Sequence, residues 1–76
     1  MESKYLEMIN EVLEVEDRTI TMEDVFRDFE EWDSLAHLSL IAEVDDTYNV
    51  VIEDNVFKQL KTLQELFDEI QKRINA

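Results

Sequence analysis

Residues 32–49 read WDSLAHLSLIAEVDDTYN, and the helical interpretation of the whole chain starts from this stretch. From Ser34 to about Asn49 its apolar residues recur at three- and four-residue spacing, which predicts an amphipathic helix, named helix two. Either Asp33 or Ser34 can be its N-cap, because both side chains accept hydrogen bonds from backbone N–H groups of a first turn. Capping is therefore the plain alternative to any chemical role for Ser34.

The apolar residues of helix two fall into two stripes on a helical wheel. The first stripe is wide enough to face a core and consists of Leu40, Ile41, Val44 and Tyr48. The second lies beside Ser34, with two acids one turn further along, and consists of Leu35, Leu38, Ala42, Asp45 and Asp46. A small bundle has little room to bury both stripes, so the second is interpreted as a docking surface for partners, with additional core as the alternative.

The rest of the chain also favours helices, because it contains no Gly and no Pro and therefore lacks the usual hairpin signals. An amphipathic helix is predicted over roughly residues 2–14, and a short third helix follows Asp54 as its cap. A capping box of Thr62 and Glu65 begins the final helix. The long connection over residues 15–33 has no helical period, and its apolar residues pin it to the core; these are Ile20, Val25, Phe26 and Phe29.

These elements predict an all-α fold with a single domain over residues 1–76. The architecture is a small four-helix bundle with a short third helix and a long loop between helices one and two. A chain of this size buries only about 60% of the surface that its unfolded form exposes, which leaves one small core. The predicted core residues are Leu6, Ile9, Leu40, Ile41, Val44, Leu63, Phe67 and Ile70.

Charge restricts the kinds of partner. The chain has 20 acidic and 7 basic residues and a net charge of −13. The window from Asp28 to Phe57 contains nine acids and no Lys or Arg. Such a surface disfavours nucleic acids and anionic membranes, and it favours proteins with basic surfaces. The chain has no Cys and no apolar run of about 18 residues, so we expect a cytoplasmic protein without disulfides, Cys-based metal sites or membrane spans.

The tripeptide Asp33-Ser34-Leu35 at the start of a helix resembles the attachment motif of the acyl carrier protein family. The resemblance covers nearly the whole chain, since the family also has a first helix, a long loop, an acidic second helix, a short third helix and a final helix. The tripeptide, its position, the chain length and the acidic charge carry it together. It implies a bundle of the acyl-carrier type.

The resemblance further implies that a phosphopantetheinyl transferase attaches the 4′-phosphopantetheine arm of coenzyme A to Ser34, with Asp33 and Leu35 beside the cofactor. The arm's thiol would hold acyl groups as thioesters for acyl-loading and acyl-transfer enzymes of fatty-acid, polyketide or related specialised biosynthesis. The implied docking residues are Leu35, Leu38, Ala42, Asp45 and Asp46. A monomer suits such a shuttle best, and we expect no catalytic or metal-binding residues in the chain itself.

Three other interpretations compete with this one. Ser34, His37 and Asp33 include the residue types of a hydrolase triad, but no glycine-rich turn accompanies them, so an enzyme is rejected. An acidic helical adaptor that binds a basic protein without any prosthetic group stays open as the alternative of another class. An aminoacyl or peptidyl carrier would use the same serine. Trp32 and Ala42 depart from the commoner family pattern, which favours partners outside housekeeping fatty-acid synthesis.

Overall fold

Four α-helices and one short 3₁₀ turn make up the regular structure of the part of the chain described by the structure, a computed structural model that covers residues 2–15 and 18–75. The helices are α1 (Glu2–Leu13), α2 (Ser34–Tyr48), α3 (Asp54–Phe57) and α4 (Leu63–Ile74). The 3₁₀ turn spans Phe26–Asp28, inside the long connection between α1 and α2. The predicted all-α bundle with a short third helix is therefore confirmed.

One apolar cluster holds the elements together, and all four helices contribute to it. Six of the eight predicted core residues are buried; Leu6 and Ile41 are only partly buried and pack against the cluster from outside. Leu6 is less buried than the adjacent Tyr5, which like Ile9 is fully buried. The Tyr5 phenol donates a hydrogen bond of 2.8 Å to the carbonyl oxygen of Leu63. This bond joins the first helix to the last across 58 positions.

The start of α4 holds the long connection in place. The predicted capping box is present, with the Glu65 N–H donating to Thr62 Oγ1 at 3.1 Å and the Glu65 carboxylate accepting from the Thr62 N–H. The two N–H groups between Thr62 and Glu65 donate to the connection instead. The Leu63 N–H donates to the Asp24 carbonyl at 3.0 Å, and the Gln64 N–H donates to the Met22 carbonyl at 2.8 Å. The connection therefore supplies acceptors that a helix N-terminus lacks within itself.

Two local predictions are wrong in detail. Asp54 does not cap α3: the N-cap is Glu53, without a side-chain hydrogen bond, and Asp54 is the first helical residue. Val25, expected to pin the connection to the core, is 38% exposed, because its backbone pairs with Thr62 in an isolated β-bridge that leaves its side chain at the surface. Phe26 instead is fully buried.

Both long N-terminal helices end at residues in the left-handed backbone region. Glu14 after α1 has φ 56° and Asn49 after α2 has φ 57°. Asn tolerates this conformation better than most residues other than Gly. The Asn49 N–H still completes the helical hydrogen bond to the Asp45 carbonyl. The left-handed backbone of Asn49 then ends α2 at Tyr48, and the chain turns toward α3.

We predict that Tyr5→Phe lowers the free energy of unfolding by about 1 kcal/mol at neutral pH, because the Leu63 carbonyl loses its buried donor. Burial raises the pKa of Tyr5 above its ordinary value of 10.0. The protonated phenol is thus favoured in the folded state, and its contribution to stability is complete below pH 10 and is lost as pH rises above that value. Urea denaturation at pH 7 and pH 11 measures both effects. Tyr48→Phe is the matched control: a loss at pH 7 as large as that of Tyr5→Phe would contradict the prediction.

Candidate functional site

Ser34 begins α2 with an exposed side chain, and the capping role belongs to its neighbour. Asp33 has an extended backbone, φ −154° and ψ −173°, and its carboxylate accepts the Ala36 N–H at 2.7 Å. The Asp33 carbonyl accepts the His37 N–H at 3.0 Å. Among the described residues, the Ser34 hydroxyl has no hydrogen-bond partner. The first turn is thus fixed by Asp33, and the Ser34 hydroxyl is left available for chemistry.

The surroundings of Ser34 suit a phosphodiester. The first N–H groups of an α-helix have no partner within the helix, and the helix dipole is positive at this end. A phosphate attached to Ser34 Oγ would meet those N–H groups without displacing the Asp33 cap, which uses the N–H of Ala36. The residues present therefore fit a covalently attached phosphopantetheine.

The second stripe of α2 lies at the surface. Leu35 is 72% exposed and Leu38 is 64% exposed, which are large values for leucine side chains. Ala42, Asp45 and Asp46 are also exposed. Additional core is thereby excluded for this stripe, and the five residues form one exposed face, the α2 face, that begins beside Ser34.

The charges around the α2 face are unevenly compensated. Glu31 pairs with Arg18 at 2.8 Å and Glu53 pairs with Arg73 at 2.8 Å, and each arginine lowers the pKa of its carboxyl partner mainly through side-chain hydrogen bonds. In the described part of the chain, no Lys or Arg pairs with Asp45 or Asp46. The arginines thus neutralise Glu31 and Glu53, and no described Lys or Arg compensates the acids on the α2 face.

An aromatic layer that the sequence pattern did not predict closes the bundle next to Ser34. Trp32 stacks on Phe57, with ring centroids 6.1 Å apart and an angle of 11° between the planes. His37 meets the same Phe57 ring edge-on at 4.8 Å. The guanidinium of Arg27 lies over Phe57 at 5.1 Å. The layer depends on contacts of Trp32 and His37 with Phe57, which is at least 20 positions away, so helical periodicity alone could not reveal it.

A surface groove of about 490 Å³ lies on the other side of Ser34, between the end of α1 and the start of α2. Its apolar wall includes Leu13, Leu35 and Ala36. Four carboxylate residues also line it: Glu11, Glu14, Glu31 and Asp33. The groove is therefore rimmed with negative charge.

Comparison with known proteins agrees with this geometry. The family model described as the phosphopantetheine attachment site matches residues 5–70. The chain belongs to this family. Among solved structures, the solution NMR structure of the holo acyl carrier protein from Geobacter metallireducens has the same fold, with a TM-score of 0.81 and 23% sequence identity, over 96% of this chain and 84% of that one. No significant match was found among curated proteins.

Membership in the phosphopantetheine attachment-site family confirms the resemblance to acyl carrier proteins and the covalent phosphopantetheine cofactor. It supports an acyl carrier role for the chain. Within residues 2–15 and 18–75, no helix is long and apolar enough to cross a membrane. Over those same residues, no group of three or more His, Cys, Asp or Glu side chains could hold a metal ion.

We predict that Asp33→Ala lowers the free energy of unfolding by about 1 kcal/mol, because the Ala36 N–H loses its acceptor. Asp33→Asn keeps an oxygen that can accept the same bond and should retain most of the stability. Urea denaturation measures the stability, and hydrogen exchange at the Ala36 amide reports on the cap directly. Equal destabilisation by both variants would show that the carboxylate acts through its charge instead of as a cap.

Proposed function

We propose that Ser34 is the phosphopantetheine attachment residue of this carrier. The observation that carries the proposal is the division of labour at the start of α2, where Asp33 caps the helix and the exposed Ser34 hydroxyl makes no hydrogen bond to the described residues. In the loading reaction, the Ser34 oxygen forms a bond to the phosphorus that carries the pantetheine arm of coenzyme A. The bond from that phosphorus to adenosine 3′,5′-bisphosphate breaks, and the serine proton passes to a base of the transferase.

The arm supplies a terminal thiol that holds acyl groups as thioesters. The chain itself contributes the position of the attachment point, the N–H groups that face the phosphate, and a surface that partners recognise. We propose that the acyl groups serve enzymes of fatty-acid, polyketide or related specialised biosynthesis. The carrier would work in the cytoplasm as a monomeric shuttle between them.

We propose that the α2 face is the surface on which the transferase and the acyl-transfer enzymes dock. Leu35 and Leu38 provide apolar contact area directly beside Ser34. Asp45 and Asp46 lie in the last turn of α2, which contains no basic residue. Acids at a helix C-terminus oppose the dipole and cost about 0.3–1 kcal/mol each, so their placement reduces the stability of the free protein. A basic partner surface offsets that cost.

The acidic adaptor, the alternative of another class, would use the same face. It gives no role to the exposed Ser34 hydroxyl, and it does not account for the match to the attachment-site family. An aminoacyl or peptidyl cargo would be loaded on the same serine and differs only in the group carried.

Incubation with coenzyme A, Mg²⁺ and a broad-specificity phosphopantetheinyl transferase should add one phosphopantetheine to the wild-type chain and none to Ser34→Ala. The measurement is intact mass. Ser39→Ala is the matched control, because Ser39 is a second exposed serine on α2, and it should be loaded like the wild type. Modification of Ser34→Ala, or an unmodified wild type with several transferases, would contradict the assignment.

Asp45→Lys and Asp46→Lys should each lower kcat/KM for transfer of the arm by roughly twofold to fivefold at low salt, because exposed charge pairs contribute mainly to the rate of encounter. The loss should shrink in high salt, where screening shortens the range of these charges. The same variants should become slightly more stable, by about 0.3–1 kcal/mol, because a cation suits a helix C-terminus. Transfer kinetics and urea denaturation measure the two effects.

Glu7→Lys on α1 is the control for this experiment, since it makes the same change of net charge at an exposed position away from α2. If Glu7→Lys slowed transfer as much as the α2 variants do, net charge alone would explain the effect and the α2 face would not be the docking surface.

A further inference from the structure

We propose that the Trp32–His37–Phe57 layer keeps the cargo of this carrier outside the bundle, so that the protein is specific for short or polar acyl groups and does not shelter long alkyl chains. The inference rests on the proposed attachment at Ser34. It concerns the fate of the acyl group once the arm is attached, namely whether this group enters the apolar core or stays in water.

One path from Ser34 toward the core is the space between α2 and α3, and aromatic rings fill this space. Trp32 lies two positions before Ser34 and His37 lies three positions after it, and both rings contact Phe57 of α3. Trp32 also meets Phe26 edge-on, with centroids 5.0 Å apart. Phe57 itself is fully buried, and so is Leu40 in the core of α2. An alkyl chain entering here would have to separate stacked rings and displace close-packed side chains.

The layer is also fastened from behind. Arg27 Nε donates to the Leu60 carbonyl at 2.9 Å, and a second nitrogen of the same guanidinium donates to the Phe57 carbonyl. These carbonyls lie at and beyond the end of α3, where a helix has acceptors without internal donors. The His37 Nε2 atom lies 3.6 Å from a carboxylate oxygen of Asp54 at the start of α3. The end of α3 is therefore tied to the connection through Arg27, and its start lies against His37 of α2, so that movement of the helix would break these contacts.

The second path from Ser34 runs along the groove between α1 and α2, and its rim is unsuited to hydrocarbon. Glu11, Glu14 and Asp33 bring carboxylates to the groove, and Glu31 adds a fourth that is paired with Arg18. An alkyl chain lying there would remove water from these carboxylates without replacing their hydrogen bonds. At the floor of the groove, Leu13 and Ala36 are themselves buried in the core cluster. The groove is thus a surface feature and does not lead into the bundle.

An acyl group that enters neither the space between α2 and α3 nor the groove between α1 and α2 stays hydrated on the arm. A long alkyl chain is poorly suited to that state, since each methylene exposed to water is unfavourable. Short groups have little apolar surface to hide, and polar groups gain from hydration. The two closed paths therefore select the cargo by its size and polarity.

The test compares butyryl and octanoyl groups on the same protein. A broad-specificity transferase loads each from its coenzyme A thioester, and intact mass confirms loading before any further measurement. Three properties are then recorded: the thermal midpoint Tm, the emission of Trp32, which is the only tryptophan of the chain, and the rate at which hydroxylamine cleaves the thioester. We expect the two loaded forms to agree in all three, with cleavage rates within about twofold, since neither group is sheltered.

Burial of four additional methylenes would instead raise Tm by more than about 10 °C. A higher Tm for the octanoyl form, with slower cleavage and altered Trp32 emission, would overturn the inference while leaving attachment at Ser34 intact. Failure of attachment is seen separately, as an unchanged mass before any comparison, and it would overturn both proposals.

Trp32→Ala opens the layer at a ring that is only partly buried, unlike Phe57, which is fully buried. In this variant, checked for folding by circular dichroism, the octanoyl form should become more stable than the butyryl form and its thioester should be cleaved more slowly. Val51→Ala is the matched control: Val51 is 62% exposed and lies outside the layer, so its truncation should leave the two forms alike. If Trp32→Ala showed no dependence on chain length either, the layer would not be what excludes the chain.

Discussion

A chain of 76 residues has one small core, and this limit determines what each helix can bury. Helix α2 carries two apolar stripes, and the cluster built around Leu40 and Val44 has room for only one of them. The other stripe, with Leu35 and Leu38, is left in water beside Ser34. The exposed face of the carrier is thus a direct result of its size. A larger domain with the same helix could have buried both stripes.

The arginines also contribute to the fold without covering the α2 face. Arg27 and Arg73 bind groups at the two ends of α3 and join segments that are distant in the chain, and Arg18 pairs with Glu31 within the connection. They stabilise the fold at its edges, and in the described part of the chain no Lys or Arg pairs with the acids of the α2 face. The ion pairs of the protein and its uncompensated acids therefore lie on different parts of the surface. The uncompensated acids lie on the α2 face, where the basic surface of a partner protein can compensate their charge.

Much of this could be predicted from local patterns. Helix spacing located α1, α2 and α4, and residue types three positions apart located the Thr62–Glu65 capping box. The exposed stripe of α2 followed from the wheel and the small size of the chain. The features that were missed depend on tertiary contacts: the position of Val25 depends on its bridge to Thr62, and the layer of Trp32, His37 and Phe57 depends on how α3 packs. A four-residue helix has too short a pattern to show which side faces inward.

The hydrogen bonds from the first turn of α4 to the connection at Met22 and Asp24 have a consequence for protein engineering. The connection leads directly to Ser34, the proposed attachment residue, yet its backbone is held by residues from the other end of the chain. Chimeric carriers that exchange α2 alone would keep this pairing intact. Chimeras that exchange the connection without α4 would combine a connection and a final helix from different proteins, and the hydrogen bonds between them would have to form between sequences that did not evolve together. The connection and the final helix form one module, and recombination between carriers should move them together.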